Sequence, residues 1–176
     1  MFEISIGHHQ TPIGWVTLTA NHVGLTKLEF GQIGEAFRSS PFLSRAMEEL
    51  DEYFAGERRQ FTVPVNPAGT PFQKLVWASL RKIPYGAIPA YSDIASEIGR
   101  PSAARAVGMA NNKNPIPIII PCHRVIGRDG SLVGYAGGLG IKRQLLDLEL
   151  RQDCLPEFPM GLDRPGMGSI HRSLFN

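Results

Sequence analysis

The sequence predicts an α+β fold in two parts: a small antiparallel sheet with one helix, then a mostly helical domain carrying a helix-turn-helix and a short strand pair beside its reactive residues. Three observations predict it. Apolar and polar residues alternate over the first 30 positions, which is the period of a half-buried strand. From residue 40 onward the apolar spacing becomes three and four, and Ser-Pro and Thr-Pro pairs stand where helices would start. Between the two parts "NPAGTP", residues 66–71, holds two prolines and a glycine without apolar periodicity, as a linker does.

The first part, 1–66, reads as an antiparallel meander of "FEISIG", "IGWVTLTA" and "VGLTKLEF", broken at "HHQTP" and "NH". Ser40 then supplies a cap and Pro41 a first-turn proline. Leu43, Met47, Leu50 and Phe54 follow at helical spacing until Gly56. "QFTVPV" is expected to add a further strand.

The second part, 67–151, opens on a helix started by Thr70 and Pro71, with Phe72, Leu75, Val76, Leu80 and Ile83 on its apolar face, and ended by "PYG". Two short helical patterns follow in "YSDIASEIGRPSAARAVG", separated by Gly99-Arg100-Pro101; Ser92 is expected to cap the first and Ser102 the second. This is the outline of a helix-turn-helix. The second of these helices is built from small residues, Ala103, Ala104 and Ala106, with Arg105 as its one long side chain, so it can approach a neighbouring helix or a nucleic-acid groove closely. "GRDGSLVGYAGGLG" has six glycines in fourteen residues and reads as a loop whose backbone comes near whatever occupies the site. "IKRQLLDLEL" forms a last helix with Ile141, Leu145 and Leu148 on one side, and residues 152–176 read as a peripheral tail.

A chain of 176 residues, 43% hydrophobic and 19% charged, can bury a core without metal or disulfide staples. No apolar run approaches the roughly 20 residues of a membrane span, and "MFEISIGHHQTPIGW" lacks the basic start and apolar centre of a secretory leader, so a cytoplasmic location is expected. Cys122 and Cys154 are too few for a disulfide framework, and neither has the paired spacing of a zinc site. Charge is unevenly distributed. Residues 1–70 carry five Lys/Arg against eight Asp/Glu, a net of −3, whereas residues 100–151 carry eight against three, a net of +5. A polyanion would face the later half.

That half contains "NPIPIIIPCHRVIG", residues 114–127, where a thiol, an imidazole and a guanidinium follow an apolar run directly. Cys122 is open to three readings: a small buried hydrophobe, a metal ligand or a nucleophile. To be mostly ionised at neutral pH it needs its pKa lowered by about two units, roughly 2.7 kcal/mol of differential stabilisation. Consecutive side chains of an extended strand point to opposite faces, so His123 serves Cys122 only if the chain turns there or a water bridges them.

"NPIPIIIPCHRVIG", with "IPYGAIPAYSDIASEIGRPSAARAVG" before it and "GYAGGL" and "LLDLE" after it, resembles the O6-alkylguanine-DNA alkyltransferases over about residues 70–150. The first 66 residues have the length and strand-helix order of that family's ribonuclease H-like N-terminal domain, without a shared motif beyond "TPIGWVTLTA". The resemblance implies DNA repair by irreversible, single-turnover transfer of the alkyl group from O6-alkylguanine, and O4-alkylthymine, in duplex DNA to Cys122. It implies no cofactor and a monomeric protein, with cooperative loading on double-stranded DNA left open. Because residues 1–66 contain no cysteine, the zinc site of some relatives is not expected here.

By position, the resemblance implies that Cys122 accepts the alkyl group, that His123 acts through water as base, and that Glu149 supports His123. Tyr91 would protonate guanine N3, and Asn114 would hold the turn. Val125, Tyr135, Ala136 and Gly137 would bind the base. Arg105 would fill the space left by an extruded nucleotide, while Ser92, Ser102, Ala103, Ala104 and Arg124 would contact DNA in the minor groove. Two further readings of the same residues are a DNA-binding module without chemistry and a Cys-His hydrolase.

Overall fold

The computed structural model describes residues 4–153, so Cys154 and the rest of the tail beyond 153 lie outside the described residues. Three strands, β1 (Ser5–Thr11), β2 (Gly14–Ala20) and β3 (Leu25–Phe30), form an antiparallel sheet in the order β1-β2-β3. Val16, Leu18 and Ala20 point into the core with no exposure, which is the period-two pattern that the sequence predicts. β1 continues through His8, His9 and Gln10, residues expected to break it, because it pairs with β2 along its full length from Ser5↔Ala20 to Thr11↔Gly14. On an edge strand of this kind polar side chains carry little penalty.

Helix α1 (Pro41–Ala55) lies on β1 and β2. Ser40 Oγ accepts from Leu43 N, and Gly56 ends the helix in the left-handed region at φ 83°, as the capping residues predict. Its buried stripe is Leu43, Ala46, Glu49, Leu50 and Tyr53, which turns Tyr53 inward where the spacing had pointed to Phe54. "QFTVPV" is not a strand. Pro64 has no N–H to give a ladder, and the segment makes one parallel bridge, Leu25↔Val65. The buried Glu49 carboxylate holds it instead, accepting from Thr62 N at 2.9 Å, Val63 N at 3.1 Å and Arg45 Nε at 3.0 Å.

The second part comprises α2 (Pro71–Leu80), α3 (Tyr91–Glu97), a 3-10 turn over Pro101–Ala103, α4 (Ala104–Asn112) and α5 (Gly138–Asp153). Thr70 and Gln73 close a reciprocal capping box on α2. On that helix Leu75 is 42% exposed and the buried place goes to Trp77, whose Nε1 donates to Ala110 O at 2.9 Å and so ties α2 to α4. The two expected serine caps are not formed. Asp93 Oδ2 accepts from Ala90 N at 2.8 Å and starts α3 one residue before Ser92, while Ser102 sits inside the 3-10 turn and α4 has no side-chain cap.

The isoleucine run is core, yet it is not a strand. Ile116, Ile118, Ile119 and Ile120 are buried, and Ile118 has a φ of 72°. Pro115 O accepts from Leu28 N at 2.8 Å, which docks the run onto β3. The expected strand pair reduces to one parallel bridge, Ala90↔Ile126. No helix of the described residues is long and apolar enough to cross a membrane.

Candidate active site

The fold delivers its reactive residues by tightening the chain. Asn114 accepts from Ile116 N at 3.0 Å and donates to Ile120 O at 2.8 Å, closing residues 114–120 into a compact loop. Directly after it, Cys122–Arg124 form a 3-10 turn, with Arg124 N donating to Pro121 O at 3.1 Å. The chain therefore does turn at Cys122, which removes the objection that an extended strand would part the thiol from the imidazole. Asn111 Nδ2, from α4, donates to Cys122 O at 3.3 Å and anchors the turn from the other side.

Cys122 is only 2% exposed, and burial pushes its thiol up to about 11, against the opposing pull of Asn114 and the Lys142 charge. The lowered pKa that a mostly ionised nucleophile needs is therefore not present in the resting protein. Desolvation outweighs the nearby positive charge. His123 has no exposure at all, and burial lowers its pKa despite Glu149 beside it. A neutral imidazole donates from Nε2 to Glu149 Oε1 at 2.8 Å, which leaves Nδ1 as the basic nitrogen, and Nδ1 has no hydrogen-bond partner among the described residues.

Glu149, 26 residues further along on α5, gathers five donors. Oε1 accepts from His123 Nε2, from Arg124 Nη2 at 3.0 Å and from Tyr53 Oη at 2.7 Å. Oε2 accepts from Arg124 Nε at 2.9 Å and Gly86 N at 3.1 Å. Burial alone would raise this carboxyl, but the hydrogen bond from His123 and the bonds and charge of Arg124 prevail and hold it at about 2.

Arg124 requires a correction. Expected on DNA, it is 5% exposed, with Nε and Nη2 on Glu149 and Nη1 donating to Ile83 O at 2.6 Å, so its guanidinium is already spent inside the protein. Lys142 is a residue that the sequence reading missed. Fully buried, it donates to Val125 O at 2.7 Å and Val133 O at 3.1 Å, joining the turn to the glycine-rich loop, and burial lowers its pKa to about 8. The signal was available: Lys142, Leu145, Leu146 and Glu149 form one stripe of α5, with a charge at each end. Asn111 and Tyr53 were also missed.

The remaining expected residues surround this centre. Tyr91 is half-buried at the start of α3 and donates from its hydroxyl to Val133 O at 3.3 Å. Burial, aided by Cys122, pushes that phenol up to about 12, so it keeps its proton. Tyr135 stands edge-on to His123, ring centroids 6.5 Å apart, and its buried hydroxyl has no hydrogen-bond partner among the described residues. Val125 is buried, Ala136 is exposed, and at Gly137 an added Cβ would come within 2.8 Å of Phe30 Cε2. On α4, Arg105 and Ala106 are exposed and Ala104 is half-buried; in the preceding turn Ser102 is exposed and Ala103 half-buried, as is Ser92 on α3. Met109, 65% exposed and one helical turn from Arg105, adds an apolar side chain to that face. Among the described residues no group of three His, Cys, Asp or Glu is placed to hold a metal ion.

Comparison with known proteins gives a consistent picture. Residues 71–151 match the family described as "6-O-methylguanine DNA methyltransferase, DNA binding domain", and residues 5–67 match its "ribonuclease-like domain". The chain is 47% identical over 147 residues to a methylated-DNA–protein-cysteine methyltransferase of Methanosarcina acetivorans, covering 80% of this chain and 94% of that protein. It is 42% identical over 151 residues to the constitutive methylated-DNA–protein-cysteine methyltransferase of Bacillus subtilis, with 80% and 92% covered. Among solved structures, Mycobacterium tuberculosis OGT in complex with DNA superposes with a TM-score of 0.75 at 45% identity, over 82% of this chain and 92% of that one.

Proposed function

This chain belongs to the 6-O-methylguanine DNA methyltransferase family, and from that membership we propose that it repairs DNA by moving the alkyl group of O6-alkylguanine onto Cys122. The observation that supports the residue assignment is the 2.8 Å bond from His123 to Glu149 at the turn that also carries the thiol. Ionising a thiol of pKa about 11 at neutral pH costs about 5 kcal/mol, so the site needs a base at the moment of reaction. Neutral His123 takes that proton on Nδ1 through a water, and Glu149 stabilises the imidazolium from Nε2. The sulfur then attacks the alkyl carbon in line; the S–C bond forms as the C–O bond breaks. Guanine leaves with the electron pair, and the Tyr91 hydroxyl supplies a proton at N3. The product is a thioether, with no easy route back to thiol, so each molecule acts once. O4-alkylthymine offers the same chemistry.

A thiol this deeply placed cannot reach a stacked base, so the nucleotide is turned out of the duplex at a cost of a few kcal/mol. Arg105 fills the vacated space from α4, whose small residues Ala103, Ala104 and Ala106 allow approach in the minor groove, with Ser92 and Ser102 at its edge. Val125, Tyr135, Ala136 and Gly137 line the place of the extruded base. The protein works as a monomer in the cytoplasm. To test the reading, the chain is incubated with duplex containing O6-methylguanine and the Cys122 peptide is weighed. One added methyl per molecule is expected. Methyl on another residue, binding without transfer, or repeated turnover on small esters each refutes it.

A further inference from the structure

One of the five donors on Glu149 comes from the other part of the chain. Tyr53 lies on α1, 96 residues from Glu149, with no exposure, and its hydroxyl donates to Oε1 at 2.7 Å. Its ring is fixed by Phe54, Phe61 and Tyr85, at centroid distances of 5.2, 5.3 and 6.1 Å. Packing alone would be served by phenylalanine; the phenolic oxygen is required only for what it bonds. Oε1 then has three donors for two lone pairs, so the Tyr53 hydroxyl competes with the His123 N–H for the same oxygen.

We propose that Tyr53 is a positioning residue of the acceptor site, whose hydroxyl fixes Oε1 of Glu149 and limits how strongly that oxygen draws on the His123 N–H, keeping the imidazole neutral and able to accept the thiol proton. This rests on the reading of His123 as the base. Among the described residues the titratable and charged groups around the pair are Tyr53 from α1, Tyr85 from the loop after α2, Cys122 and Arg124 from the turn, Tyr135 from the glycine-rich loop and Lys142 from α5. Burial lowers the imidazole pKa most, Glu149 opposes it, and Arg124 and Lys142 add to the lowering. Removing the phenol frees Oε1, strengthens the opposing contribution and makes His123 easier to protonate.

Tyr53→Phe keeps the ring and deletes only the oxygen. Single-turnover transfer from O6-methylguanine duplex is measured from pH 5 to 9 for the wild type, for Tyr53→Phe and for Phe61→Leu, which loosens packing on the same ring without touching the carboxylate. The Nε2 proton of His123 is followed in parallel by NMR of histidine-labelled protein without DNA. In Tyr53→Phe the resonance is expected to move downfield, the acid limb of the rate to move up by about half a pH unit, and DNA affinity to stay unchanged. Phe61→Leu is expected to lower the melting temperature and leave both readouts at wild type. An unmoved resonance, or an equal movement in Phe61→Leu, overturns the role of Tyr53. A moved resonance with superposed rate profiles overturns the proposal through His123, which is then not the base.

Discussion

Glu149→Gln is nearly isosteric, yet the structure makes it a severe change. The carboxylate is the counter-charge of a guanidinium that is 5% exposed, and it accepts five hydrogen bonds. A glutamine presents an NH2 group to some of those donors, which leaves Arg124 charged, buried and partly unpaired. Two routes give the size of the effect. Breaking a buried ion pair from one side costs about 3–5 kcal/mol. Independently, a carboxyl held at about 2 against its ordinary 4.5 contributes about 3 kcal/mol at neutral pH. The folded value is depressed, so this contribution is full above about 4.5 and is lost as the pH falls from there towards 2. Urea unfolding at pH 7, followed by fluorescence of the buried Trp77, is expected to show a loss of about 3–5 kcal/mol, or roughly 6–20 °C in melting temperature. The double variant Arg124→Met/Glu149→Gln, which removes both charges, is expected to recover at least half of the lost stability but none of the transfer activity. A loss below about 1 kcal/mol, or a double variant no more stable than the single one, refutes the argument that Glu149 neutralises a buried charge.

Three more outcomes follow from the geometry. With Cys154 replaced by serine, alkylation of native Cys122 by iodoacetamide at pH 7.5 is expected to be at least about 100-fold slower than in urea, because its pKa stands near 11 against an ordinary 9.0; a rate inflection below pH 9 contradicts this. Arg105→Ala is expected to slow repair in duplex about tenfold more than transfer to a free O6-benzylguanine base, which needs no extrusion; equal losses exclude the intercalating role. With Arg124 withdrawn from the phosphate contacts, four contacts from the exposed Arg100, Arg105, Lys113 and Arg128 would set a slope of log K against log salt of about −3.6, and titrations from 50 to 200 mM salt that give a flat response exclude phosphate contact by these side chains.

What the sequence revealed and what it concealed divide by the range of the interaction. Ser40 and Thr70 were legible as caps because their partners, Leu43 and Gln73, lie three residues away. Ser92 and Ser102 carried the same local signal and failed, since Asp93 reached Ala90 first and a 3-10 turn took in Ser102. Cys122, His123 and Glu149 are site residues that the resemblance around "PCHR" and "LLDLE" implies, and the structure brings the last two together. Arg124 was misassigned because nothing local tells an arginine whose carboxylate is 25 residues away from one that meets a phosphate. Tyr53 was illegible for the same reason at 96 residues, and only the tertiary fold turns its hydroxyl towards Glu149.

Under the proposed mechanism each molecule is spent on one lesion, and the burial of Cys122 then has a further consequence. Peroxide, disulfides and small electrophiles in the cell attack thiolates, and each such encounter would remove one molecule from service without repairing any DNA. A thiol that is 2% exposed and protonated up to about pH 11 is nearly inert to them. Under the proposed mechanism, its reactivity appears when an extruded base fills the site and His123 takes the proton. The depth of the sulfur therefore acts as a filter on what can consume the protein, and its working lifetime is set by the supply of damaged DNA more than by the chemistry of its surroundings.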